Sequence, residues 1–298
     1  MSGTSQPRPT LAVVIAALVS VYVIWGTTYF AIRQVVLGGM PTFFFMGTRF
    51  VIAGALLLAW CLLRGIALPT RRQWRNTAVV GVLLLVGGNG CVTLAEHSVS
   101  SGAAVALLSI MPLIAAALSG LFGEWPRPLE WFAMVLGTAG VGIMLLGHDL
   151  QARPLGTILL LIAAVSWSLG TVVSRRLDIP GGAAGFGAEM LCAGLLASII
   201  SLAVGEHWSL PTSPQVWAGW SYLVVFGSIV GFSAFRFLVE RVSATLAMTY
   251  AYANPPVALF TGWWLGNERF SVPLLAGLPI VLGAVALQTW THARSKPT

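Results

Sequence analysis

Two ionisable residues stand where a charge is costly. Arg49 and Glu189 each lie about two turns inside an apolar run, in stretches that align with one another: Gly47-Thr48-Arg49-Phe50-Val51-Ile52-Ala53-Gly54 falls on Gly187-Ala188-Glu189-Met190-Leu191-Cys192-Ala193-Gly194. A charged group at such depth needs a partner or water. Two readings are open. Both residues could line a central cavity and bind a polar or zwitterionic substrate, or they could form a buried pair, or snorkel separately, and lock helix packing. In the first reading Glu189 is also a candidate titrating carboxylate for proton-coupled transport. Glu96, in the Glu96-His97 pair at a helix end, is the second such candidate, with interfacial capping as its plainer role.

Around these charges stand aromatic and small residues. Trp25-Gly26-Thr27-Thr28-Tyr29 falls on Trp167-Ser168-Leu169-Gly170-Thr171. Small and hydroxylated residues let backbones approach and satisfy loosened carbonyls, while Trp25, Tyr29 and Trp167 offer apolar walls or ordinary packing. Gly87-Gly88-Asn89-Gly90 weakens the middle of a helix by roughly 1 kcal/mol per Gly relative to Ala. It marks a hinge, a close crossing or a wide spot where Asn89 reaches a ligand. Tyr250-Ala251-Tyr252-Ala253-Asn254-Pro255-Pro256 answers Ser109-Ile110-Met111-Pro112 in the other half. Prolines inside helices free carbonyls and kink the chain, so Pro112, Pro255 and Pro256 are gating or static kinks, as is Pro279. The pairs Gly123-Glu124, Glu240-Arg241 and Glu268-Arg269 lie at helix ends as capping or interfacial charges.

Catalytic patterns are absent from the sequence. No His-Glu-x-x-His, Gly-x-Ser-x-Gly or Walker A motif occurs, and Asp149 and Asp178 fall in loops. Cys61, Cys91 and Cys192 sit in apolar runs without metal-ligand spacing. The chain is expected to be no enzyme, to hold no metal or cofactor, and to use no ATP of its own.

The elements that must position these residues follow from composition. Of 298 residues 57% are hydrophobic and 8% charged, against about 25% charged in an average soluble domain. Too few charges remain to cover a soluble surface, so this is an integral membrane protein. Ten apolar runs are long enough to cross a bilayer: 11–32, 41–63, 76–96, 102–122, 129–147, 154–174, 184–204, 216–238, 245–265 and 272–293. The first lacks a convincing cleavage site and is kept as a helix. The net charge of +7 lies in the short gaps, where it signals topology and no nucleic-acid partner. With the N-terminus inside, twelve Lys and Arg face the cytoplasm and only Arg33, Arg153 and Arg269 face outward. Both termini are therefore expected in the cytoplasm.

Halves 11–147 and 154–293 repeat one another at an offset drifting from 140 to 144 residues. Five helices per half is an odd number, so the second half is expected upside down. The gap with Arg64, Arg71, Arg72 and Arg75 matches 205–215, which has no Lys or Arg. The expected fold is an all-α polytopic membrane protein, ten transmembrane helices as two inverted five-helix repeats around a central cavity.

The run Trp25-Gly26-Thr27-Thr28-Tyr29-Phe30-Ala31-Ile32-Arg33, Arg49-Phe50, and the Pro112…Glu124 and Asn254-Pro255…Glu268 pairs resemble the EamA family of the drug/metabolite transporter superfamily. Gly88-Asn89-Gly90, Ala95-Glu96-His97 and Ala188-Glu189-Met190-Leu191 are similar to its YedA-type, YddG-like exporters. The resemblance implies a cavity walled by helices one to four and six to nine, with five and ten at the edge. It also implies export of amino acids, related metabolites or toxic compounds across the bacterial cytoplasmic membrane. Pro256 and Pro279 depart from the family pattern. On this reading Trp25, Tyr29, Trp167, Tyr250 and Tyr252 form apolar walls, and Arg49, Asn89, Glu189 and Asn254 supply polar handles, with Gly88 and Gly90 as flexible points. A channel or a non-transporting scaffold or sensor are the other classes; no ring of like charges favours a channel. The partners are a small molecule and the lipid bilayer, with the oligomeric state left open.

Overall fold

A computed structural model describes residues 10–99, 101–144, 146, 154–208, 211, 213–266 and 272–294. Every regular element among them is helical, and they follow one another as ten helices in chain order. These are α1 (Leu11–Leu37), α2 (Thr42–Leu63), α3 (Arg71–Ala95), α4 (Ser101–Leu108 and Met111–Gly120), α5 (Pro128–Met144), α6 (Pro154–Ser174), α7 (Gly182–Ala203), α8 (Pro214–Arg241), α9 (Ala244–Ala247 and Tyr250–Gly266) and α10 (Val272–Arg294). Six of them, α1, α2, α3, α6, α7 and α8, are long and apolar enough to cross a membrane. The protein is a polytopic all-α membrane protein. Its polarity is inverted relative to a soluble domain: Leu56, Leu161, Ile199, Phe226 and Trp264 are exposed, while Arg49, Glu96, Glu189 and Asn254 are buried. That apolar belt is the face a bilayer covers.

Local chemistry explains where the bounds depart from the apolar runs. Helix α3 starts five residues before the expected 76, because Thr70 and Gln73 close a capping box on its first turn. The expected single helices at 102–122 and 245–265 are each broken. In α4 the break at Ser109-Ile110 immediately precedes Met111-Pro112, where proline suits the first turn of a new helical segment. In α9 the interruption falls at Met248-Thr249, whereas Pro255 and Pro256 lie within the continuing helix. Helices α3 and α8 both widen into π-helical stretches, Val82–Gly90 and Leu223–Val230.

Packing separates a central group from an outer pair. Helices α2 and α7 form the most extensive helix contact, and α5 packs on α10. Around the latter, Met134, Val141, Tyr252, Leu259 and Val281 make a small apolar cluster of their own. Helix α1 runs against α8 and α9. Val35 of α1 lies near Gly219 at the start of α8, so α1 and α8 are antiparallel and their C-termini mark opposite ends of the bundle.

Candidate functional site

At mid-bundle the two π-helical stretches receive two tryptophans. A Cβ on Gly88 would lie 2.7 Å from the Trp167 ring, and one on Gly231 would lie 2.5 Å from Trp25 Nε1. The rings therefore rest directly on bare backbone. Trp25 Nε1 donates to the Gly227 carbonyl at 3.2 Å, an acceptor within the widened α8 turn. π-Helical insertions commonly accompany functional sites because they re-aim backbone groups. Here they let Trp25 and Trp167 meet edge-on, ring centroids 5.4 Å apart, with Phe232 and Tyr250 each 4.9 Å from Trp25.

Between these rings lies a chamber. Trp25, Thr28, Tyr29 and Ile32 of α1, Arg49 of α2, and Gly88, Asn89 and Val92 of α3 form one side. Leu108 and Met111 of α4, Ala163 and Trp167 of α6, Phe232 of α8 and Tyr250 of α9 form the other. Among the described residues α5, α7 and α10 supply no wall residue, whereas the seventh helix was expected to do so. The free space is about 40 Å³, room for a few waters at most. Polar atoms are nonetheless stranded here: Arg49 Nη1, Asn89 Oδ1 and Trp167 Nε1 are buried without hydrogen-bond partners. Native proteins seldom leave such groups unsatisfied.

The structure divides the expected handles. Arg49 is 1% exposed, donates from Nε to Ser228 Oγ at 2.8 Å, and places its guanidinium 4.8 Å from the Phe50 ring centroid. Glu189 is not on the chamber wall and does not pair with Arg49. Its Oε1 takes Arg236 Nη1 at 3.4 Å, and Arg236 Nε binds Glu240 Oε1 at 2.6 Å. Arg236 and Glu240 line a separate polar pocket of about 340 Å³ at the α8 C-terminal end. Glu189 thus lies off the chamber wall, on which the sequence had placed it as a handle, and sits in a buried ion-pair network as the packing reading describes. Tyr252 also leaves the chamber: two residues past Tyr250, it points to the far side of α9 and lies against Gly137 of α5. Asn254 is fully buried and lacks a hydrogen bond of proper geometry, off the chamber wall. Gly90 packs near Met46, and Pro112, Pro255 and Pro256 lie off the wall.

Glu96 is more deeply set than a capping residue. It sits one residue past α3, is fully buried, and neither carboxyl oxygen has a hydrogen-bond partner. Burial pushes its carboxyl well above the usual carboxylate range, opposed by the nearby Arg33 charge. Arg33 Nη1 itself clasps the Glu96 and Val99 carbonyls at 3.2 and 2.9 Å. Arg175 repeats this at the opposite end, with Nη1 2.8 Å from Val239 O and 2.5 Å from Val242 O. Each arginine at the end of one helix thus satisfies the last carbonyls of another, α1 on α3 and α6 on α8. Thr42 Oγ1 and His97 Nε2, 2.8 Å apart, and the Arg176–Glu124 ion pair at 3.1 Å add to the two ends. Glu268, Arg269, Asp149, Arg153, Arg8 and Lys296 lie outside the described residues.

Sequence reasoning missed Arg236, Phe232, Met111 and Thr28. Arg236 stood two residues from the end of an apolar run and read as a loop-side charge. Phe232 and Met111 are ordinary apolar types whose inward facing depends on the breaks and widened turns beside them.

A family profile described as the EamA-like transporter family matches residues 11–146 and again 154–290. The chain belongs to the EamA-like transporter family. It is similar to an uncharacterized inner membrane transporter, YedA, of Escherichia coli (strain K12), at 41% identity over 92% of this chain and 89% of the relative. The uncharacterized transporter YvbV of Bacillus subtilis (strain 168) is 25% identical over 94% of this chain and 92% of its own. A solved crystal structure superposes with a TM-score of 0.77 at 21% identity, covering 96% of this chain and all of the other, which shows the shared fold. This EamA protein is a multi-pass membrane transporter for small molecules, not an enzyme. Among its described residues, no group of three or more His, Cys, Asp or Glu could hold a metal ion.

Proposed function

We propose that the protein is a secondary-active exporter that moves amino acids or related small metabolites and toxic compounds out of the bacterial cytoplasm, across the inner membrane, by alternating access. In this reading residues 11–147 and 154–293 are inverted five-helix halves, and both termini face the cytoplasm. The halves rock about the chamber and expose it to each side in turn. The observation that carries the reading is the chamber itself. It is narrow, walled by aromatic rings, and holds buried polar atoms without partners. The matching placements of Trp25 and Trp167, Gly88 and Gly231, and Arg33 and Arg175 support a twofold inverted plan. Arg33 then clasps the outer end and Arg175 the inner end.

Glu96 is the favoured proton site in this scheme. In the conformation described, burial favours its protonated form, and widening of the outer end lets water or Arg33 stabilise the anion. Because its folded value is raised, Glu96 supports the closed form at low pH and loses that contribution as pH rises through the folded value. The test is efflux of labelled amino acids and metabolites from proteoliposomes, with and without an imposed proton gradient. Wild-type efflux should respond to the gradient. Glu96→Gln should abolish that response while keeping downhill exchange, and Glu189→Gln should keep the response. A gradient response that survives Glu96→Gln and disappears in Glu189→Gln would move the proton site to Glu189. No flux of any labelled compound would remove the exporter reading.

A further inference from the structure

The chamber has a charge signature that narrows its ligand. Of its wall residues only Arg49 carries a charge; no carboxylate faces it among the described residues. The carboxylates nearest in the fold are engaged or set apart. Glu189, on α7, pairs with Arg236, and Glu96 is not a wall residue, with Arg33 as its charged neighbour and the wall residue Tyr29 within its electrostatic reach. Among the described residues Arg49 therefore has no anionic partner. Its contacts are a neutral hydroxyl, Ser228 Oγ, and the faces of Phe50 and Phe45 at 4.8 and 5.9 Å, while Nη1 is buried without a hydrogen bond. Two aromatic faces and one hydroxyl soften the isolation of a buried cation but do not neutralise it.

We propose that the chamber selects organic anions, specifically monocarboxylates with an aromatic or other flat apolar body, and that Arg49 holds the carboxylate. This rests on the reading of the protein as a carrier. The guanidinium presents a planar fork that matches a carboxylate, and a desolvated site makes that match strong. Asn89, whose Oδ1 is free, and Trp167, whose Nε1–H is free, give a second acceptor and donor on the walls. The body of the ligand lies among Trp25, Trp167, Phe232 and Tyr250, whose rings meet one another edge-on or tilted. A zwitterionic amino acid fits with its carboxylate on Arg49 and its ammonium against a ring face. A plain cation of the same shape fits worse, because Arg49, the one charge among the wall residues, repels it.

Three probes share one ring and differ in charge: phenylacetate, phenylacetamide and phenethylamine. Titrated into the purified full chain in lipid nanodiscs, they are read by quenching of tryptophan emission, with Trp25 and Trp167 reporting from the walls. Phenylacetate should bind about tenfold tighter than the amide or better, the scale of one charge-assisted hydrogen bond, and the amine should bind more weakly than the amide. Arg49→Gln should erase the preference for the acid over the amide, and Arg49→Lys should keep part of it. Should Arg49→Gln not fold, the wild-type series decides alone. Amine binding equal to or tighter than that of the acid, binding of none of the three, or a folded Arg49→Gln protein that still prefers the acid would overturn the proposal. Uptake into proteoliposomes separates this from the carrier reading. Selective acid binding without transport of any probe would remove the carrier and leave the Arg49 site standing; transport led by the amine would do the reverse.

Discussion

Arg236→Ala should lower the stability of the folded protein by about 3–5 kcal/mol, the usual result of stripping one partner from a buried ion pair. Arg236 is 5% exposed, and the carboxylate it answers, Glu189, is fully buried. Glu189 Oε2 has no hydrogen bond, so its charge rests on the 3.4 Å contact to Arg236 Nη1. Removing the guanidinium leaves that charge without compensation and frees Glu240 from its 2.6 Å bond. The double variant Arg236→Met, Glu189→Leu removes both charges from the apolar interface and should recover most of the loss. Thermal unfolding in detergent micelles, followed by loss of monodisperse protein, reads all three proteins. A single variant that melts with the wild type would show that the pair does not hold α7 against α8.

Gly54→Val and Gly194→Val should each prevent recovery of folded protein, an effect beyond the roughly 1–3 kcal/mol typical of overpacking. The reason lies in what a side chain would meet. At Gly54 a Cβ comes within 2.7 Å of the Gly187 carbonyl oxygen and of Leu191 N; at Gly194 it comes within 2.6 Å of Val51 N. These are backbone atoms of the facing helix, and no rotamer change moves them aside. Small residues let α2 and α7 approach this closely, and this is the most extensive helix contact in the protein. Gly142→Ala in α5 is the control. Nothing lies within 4 Å of its Cβ, so it should be neutral or stabilise by up to about 1 kcal/mol. Membrane-inserted yield and the melting midpoint check the three variants together; normal yield for Gly54→Val would mean that the two helices do not meet as described.

Much of this architecture was legible because hydrophobic length and charge placement are strong signals in a bilayer. The ten runs coincide with the ten helices to within a few residues, apart from the late end of α1, the early start of α3 and the breaks in α4 and α9. Depth singled out Arg49, and symmetry singled out Trp25 and Trp167; all three line the chamber. The misreadings share a cause. A run-based reading places a residue along a helix and says little about its face. Tyr250 and Tyr252 stand two apart, about 200° around the axis, and only Tyr250 reaches the chamber. Glu189 occupies the register of Arg49 in the other half, but Arg236 lies next to it and claims its carboxylate. Glu96 looked like a terminal cap, whereas the chain around the end of α3 encloses it completely. The widened turns at Val82–Gly90 and Leu223–Val230 left only a glycine-rich trace at Gly87–Gly90 and no comparable sign in α8.

Alternating access requires that the chamber open to one side at a time. Thr28 lines it, and its hydroxyl is spent on the Trp25 carbonyl of its own helix at 2.7 Å, so a cysteine is a mild replacement. With Cys61, Cys91 and Cys192 changed to serine, Thr28→Cys can be probed in proteoliposomes by a membrane-impermeant thiol reagent applied from either face. Labelling from both faces is expected, with a proton gradient lowering the rate on one face as it raises the rate on the other. Labelling from neither face, or equal labelling from both whatever the gradient, would contradict it.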